Sequence, residues 1–200
     1  MLATRLLLLS MVAFATAACS EVPPAGNPNP TVLAPGGRQA PAGYSWKKAH
    51  CMYVLIPDGW FYKEQEGHGT KAFFVSKESI EKEGKFKTGL TSNMITAITA
   101  KTGYAPSDYA SRLFDSLKQT ASYQDIQSTA PTANIAQLSG YFRTKHPASR
   151  NISVQYLTTL ANNKTGTLYI VQFETREADW DSTLPVAKVL INNLVADDAC

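Results

Sequence analysis

Apolar positions change their spacing along this chain, and each change predicts a different element. Leu6 to Ala15 is an almost unbroken apolar run behind Arg5. At about ten residues it falls short of the roughly twenty that cross a bilayer. Cys51 to Ile56 is continuously apolar and stops at Pro57-Asp58-Gly59, which predicts a strand closed by a turn. Trp60 to Glu66 and Lys71 to Ser76 read as further strands, the charged stretch Lys77 to Lys87 as a solvated loop or short helix, and Asn93 to Lys101 as a fourth strand. The period then becomes helical. Tyr109, Ala110, Leu113, Phe114 and Leu117 predict a helix from Ser107 to Gln119, with Ser107 placed to cap the first amides and Asp108 suited to the positive N-terminal end. Strands follow at Asp125 to Thr129, Ala133 to Lys145 and Ile152 to Leu160, the last alternating Ile152, Val154 and Tyr156 with Ser153 and Gln155. Asn162 to Gly166 turns a hairpin into Thr167 to Thr175. Pro185 marks the start of a closing helix whose stripe is Ala187, Leu190, Ile191, Leu194 and Val195. Strands, a helix, more strands and a last helix predict a single α+β domain over residues 44–200, an antiparallel β-sheet covered by helices. No internal repeat is present.

Residues 20–43 belong to neither pattern. Six of the chain's 11 prolines lie there, at positions 23, 24, 28, 30, 35 and 41. Proline fixes φ without internal hydrogen bonds, so the segment predicts a semi-stiff, solvated tether, on the order of 70 Å long when fully extended. Beyond the N-terminal run about 180 residues remain, enough for one domain with a full core. Without Arg5 the balance is 18 basic against 16 acidic residues, 19 − 1 against 16. That near-neutral balance argues against a nucleic-acid partner, which would select a dense basic face.

The end of the first apolar run carries chemistry of its own. Thr16-Ala17-Ala18 leads directly into Cys19, which resembles a bacterial lipoprotein signal. The resemblance implies a signal peptide at 1–18, lipidation of Cys19 and a membrane anchor through that N-terminal lipid. It implies a domain facing the periplasm, with Ser20 leaning towards the outer membrane. Thr16 stands where that signal usually has Leu, and an ordinary cut after Ala17 or Ala18 would instead give a soluble secreted protein. Cysteine parity bears on the same point. With Cys19 consumed by lipid, Cys51 and Cys200 form an even pair in an oxidising compartment, which predicts a disulfide between them. The alternative is a buried reduced Cys51 with Cys200 free or paired between molecules.

Tyr53-Val54-Leu55-Ile56-Pro57-Asp58-Gly59-Trp60 resembles the opening strand and Pro-x-Gly-Trp corner of the PsbP-like family. Pro106-Ser107 to Leu117 stands where that family has its middle helix. Tyr169 to Phe173 and the helix from Leu184 to Val195 are similar to its closing pair. The family includes photosystem II accessory proteins, a nuclear import factor that binds the GTPase Ran, and bacterial lipoproteins. The resemblance implies a PsbP-like α+β fold and a habit of binding proteins, with no shared active site to carry over. Trp60 is expected to fold onto the core.

Candidate chemistry is sparse. Glu64, Glu66 and His68, spaced by two, would share a strand face and are a weak candidate for a divalent cation. The same spacing describes any solvent-facing strand. Arg143, Lys145, His146 and Arg150 gather around Pro147 and are a candidate anion-binding loop for a phosphate or lipid headgroup. No Gly-x-Ser-x-Gly elbow, His-Glu-x-x-His helix or Gly-rich phosphate loop occurs in the sequence, and no cofactor is expected. The sequence therefore points to a non-catalytic, lipid-anchored envelope module that binds an envelope protein. A periplasmic carrier of a small apolar or anionic ligand and an uncharacterised hydrolase are the alternatives.

Overall fold

The computed structural model describes residues 36–67, 70–80, 86–120, 122–145 and 152–198, with 120, 122–128, 130–132, 143–145 and 152–153 described by backbone alone. The strands are β1 (Tyr44–Ala49), β2 (Met52–Pro57), β3 (Phe61–Gly67), β4 (Thr70–Ser76), β5 (Gly89–Ile95), β6 (Ser122–Thr132), β7 (Ile135–Lys145), β8 (Ile152–Asn162), β9 (Thr167–Arg176) and β10 (Val195–Ala196). The helices are α1 (Ile98–Thr102), α2 (Pro106–Thr120) and α3 (Trp180–Asn192). The fold is α+β, with antiparallel pairing throughout the described strands. Where the sequence predicts one sheet, two are present: β1-β2-β10, and a seven-stranded sheet ordered β3-β4-β5-β9-β8-β7-β6.

The Pro57 to Trp60 corner separates the sheets. Gly59 takes φ 77 and the Trp60 amide donates to the Pro57 carbonyl at 3.1 Å. The chain thus leaves β2 and enters β3 in the other sheet. Trp60 packs onto the core as expected, its ring centroid 6.5 Å from that of Phe173.

Four boundaries differ from the sequence expectation. First, β1 gives no alternating signal, because its buried positions, Trp46 and Ala49, are three apart. Second, the predicted strand Asn93 to Lys101 ends early. β5 stops at Ile95, Ala97 turns left-handed at φ 53, and the Ile98 amide donates to the Gly166 carbonyl at 3.0 Å to start α1. Third, Ser107 is not the cap of α2. Pro106 opens that helix, and Asn163 serves Ser107 instead: its Oδ1 accepts from the Ser107 amide at 3.0 Å and its Nδ2 donates to Ser107 Oγ at 2.9 Å. Fourth, the closing helix starts at Trp180, behind a 3-10 turn at Glu177–Asp179, and Pro185 lies inside it. Thr183 Oγ1 donates to the Asp179 carbonyl at 2.9 Å in that first turn. Ala187, Leu190 and Ile191 are buried as the stripe predicts, but the helix ends at Asn192 and Val195 joins β10 beside β2.

Alternation along the long strands sends side chains to two separate cores. On one face α2 packs Ala110 against Ile98, Ala161 and Leu168, and Phe114 edge-to-face on Phe142 at 5.6 Å. On the other, Phe73, Val75, Leu90, Val171 and Phe173 meet Met52, Val54 and Leu55 of the small sheet and Leu190 of α3.

Candidate functional site

Glu64 and Glu66 do share one face of β3, and what they meet is His50, in the turn between β1 and β2. His50 holds φ 52, costly for a non-glycine residue, and its side chain is 8% exposed. Its Nε2 lies 3.3 Å from the Ala72 carbonyl and 3.7 Å from Glu64 Oε2, while Nδ1 lies 3.5 Å from Glu66 Oε1. The two carboxylates thus approach opposite nitrogens of one ring and do not converge on a common point. Each also has a second partner. Tyr62 donates its hydroxyl to Glu64 at 2.6 Å, and Lys71 Nζ lies 3.2 Å from Glu66. Burial, then the hydrogen bond to Glu64 and its charge, hold the Tyr62 phenol well above its ordinary range. His68, the third predicted ligand, lies outside the described residues. Among the described residues no group of three His, Cys, Asp or Glu side chains is placed to hold a metal ion. The cluster fastens the turn of the small sheet to the edge of the large one.

Arg143 and Lys145 belong to the end of β7, opposite Val154 and Ile152 of β8, so they stand in the strand expected over Ala133 to Lys145 and not in the loop proposed for the anion site. His146 and Arg150 lie outside the described residues, as do Cys19 and Cys200. Cys51 stands in the turn before β2, and its carbonyl accepts from the Asp197 amide at 2.8 Å.

A different place in the fold is hollow. Between the β6-β7-β8 end of the large sheet and the run from Ile191 to Ala196 lies a cavity of about 400 Å³. Its floor is Ile135, Gln137 and Ser139 of β7 with Tyr156 and Leu160 of β8, and Arg38 enters from the segment before β1. The polar floor is internally bonded: Gln137 Nε2 donates to Thr158 Oγ1 at 3.0 Å, and Ser139 Oγ and Thr158 Oγ1 lie 2.7 Å apart. The described lining holds no histidine or carboxylate, so Ser139 has no base there to activate it. This arrangement can hold a ligand between an apolar wall and a few polar groups. Neither His50 nor Arg38, Gln137 and Ser139 stands out from the sequence pattern. The available signal was in β7, where Gln137 and Ser139 share the parity of Ile135 and Tyr141 on a core-facing row.

No helix among the described residues is long and apolar enough to cross a membrane. No family model matches the chain, and no curated protein matches it. Solved structures do. The solution structure of cyanobacterial PsbP from Synechocystis is similar at 12% identity and TM-score 0.48, over 78% of this chain and 94% of that one. The Ran-binding protein Mog1p of Saccharomyces cerevisiae is similar at 8% identity and TM-score 0.47, over 78% and 96%. A Pseudomonas aeruginosa protein of unknown function is similar at 12% identity and TM-score 0.45, over 77% and 97%. The α+β assignment rests on this chain's own strand order and register.

Proposed function

We propose that this protein is a non-catalytic module of the cell envelope, anchored by a lipid on Cys19 and binding an envelope protein from the far end of a proline-rich tether. The observation that carries the reading is the order of parts. A short apolar run ends in Thr16-Ala17-Ala18-Cys19, residues 20–43 are rich in proline, and the first strand begins at Tyr44, where that composition stops. A lipid, a spacer and a folded domain in that order suit a domain that stands off a membrane and searches for a partner. Ser20 supports the outer membrane.

Replacement of Cys19 by Ser tests the anchor: the mature protein fractionates with membranes, and the variant becomes soluble or stays unprocessed. Normal membrane retention of the variant overturns it. Crosslinking in intact cells tests the partner, with recovery of one defined envelope protein expected and recovery of abundant bystanders alone counting against it. The disulfide between Cys51 and Cys200 belongs to the same proposal. It is supported by cysteine parity and by the bond from the Asp197 amide to the Cys51 carbonyl, which brings the chain alongside Cys51 three residues before Cys200. A thiol assay finding both cysteines free in oxidised, exported protein rules it out.

A further inference from the structure

Small-molecule sites are mostly apolar hollows of about 300 to 1,000 Å³ with a few placed polar groups. The cavity over β7 and β8, at about 400 Å³, is of that size. Its described lining carries a single formal charge, on Arg38, with no acidic side chain to neutralise it. Ile135, Leu160, Ile191 and Leu194 supply apolar wall. The Arg38 guanidinium lies 6.0 Å from the centroid of the Trp46 ring, a contact that steadies the fork from one side and leaves its N–H groups available. The hydroxyls of Ser139 and Thr158 and the amide of Gln137 bond to one another, so an apolar chain can lie over them without stranding these donors.

We infer that this cavity binds a small amphipathic monocarboxylate, with its acyl chain against Ile135, Leu160, Ile191 and Leu194 and its carboxylate on Arg38. A single positive charge beside an apolar wall selects a monoanion over a neutral or cationic chain of equal length. The site lies within the folded domain and is independent of the anchor and of any protein partner.

Equilibrium dialysis of the full chain against hexanoate, octanoate, decanoate and decanol tests the inference. Affinity for the carboxylates should rise about fourfold per added methylene until the hollow is full. Arg38→Gln should weaken decanoate up to about fivefold, the scale of one exposed ion pair, while leaving decanol unchanged. High salt should reproduce that selective loss in the parent protein. Asn192→Trp, at an exposed position on the cavity wall, should abolish binding of both ligands while the melting temperature is kept. The inference is overturned if decanoate does not bind, if Arg38→Gln affects decanol and decanoate alike, or if Asn192→Trp binds as the parent does. The chain-length series uses the parent protein and decides the apolar part whatever the variants do.

Discussion

One face of the seven-stranded sheet has two halves that pack differently. Over β4, β5 and β9 the residues Phe73, Val75, Leu90, Val171 and Phe173 are wholly or almost wholly buried against the small sheet and α3. Over β7 and β8 the same face carries Gln137, Ser139 and Thr158, bonded to one another beside a cavity. The difference is one of cover. Seven strands at about 4.8 Å spacing span roughly 29 Å, whereas three strands and one helix span about 20 Å. Close-packed cover runs out before the sheet does, and the end beneath Ile191 to Ala196 holds a buried hydroxyl and amide network beside a hollow in place of close-packed aliphatics.

The largest expected effect breaks this comparison directly. Leu90 is fully buried in the packed half, and Leu90→Ala should destabilise the domain by about 4 kcal/mol, the transfer loss plus a closed void. Leu160→Ala, at the cavity wall, should cost nearer ~2 kcal/mol, because the space it vacates joins a hollow already present. Chemical denaturation of both variants checks the difference, and equal costs would mean that the hollow half is as tightly filled as the other.

Tyr169 tests the boundary between the halves. Burial, then the Asp197 carboxylate, push its hydroxyl from an ordinary 10.0 up to about 12. The folded pKa is raised, so the contribution is intact below pH 10 and is lost as pH rises through 12, because the unfolded chain ionises first. On the order of 2 kcal/mol should disappear over that window. The hydroxyl is buried without a hydrogen-bond partner among the described residues, so Tyr169→Phe should be neutral or stabilising at pH 7 and should flatten the alkaline slope. Melting curves from pH 8 to 12 measure both.

Neighbouring hydroxyls sharpen the contrast further. Thr158 and Thr159 are both fully buried, on opposite faces of β8. Thr158 Oγ1 meets Gln137 and Ser139 and donates to the Leu138 carbonyl at 3.2 Å, so Thr158→Val should cost about 2 kcal/mol by stranding its partners. Thr159 Oγ1 has no partner among the described residues, and Thr159→Val should be neutral or stabilising. The smallest effect lies on the α2 side. Asn163→Ala removes both bonds to Ser107 and should cost about 1 kcal/mol, seen as faster amide exchange in the first turn of α2.

Elements with strict periodicity were legible in the chain. The stripe of α2, the alternation of β8 and the Pro57 to Trp60 corner follow from spacing that one element and one neighbour suffice to explain. Elements defined by a distant partner were not. The β1 strand is recognised by its pairing with β2, α1 by the bond from Ile98 to Gly166, and the cap of α2 by Asn163, 56 residues away. The spacing of Glu64 and Glu66 implies a shared strand face, yet their partner His50 comes from the turn of the other sheet.

By itself the sequence determined the α+β class, the Pro-rich segment before Tyr44 and most of the buried stripes, because each depends on local period and composition. Only the tertiary structure decided that there are two sheets, that His50 clasps them, and that Arg38 stands beside an apolar hollow. Those facts depend on how far one layer reaches across another, and the lengths of separate strands do not encode that reach until the strands have paired.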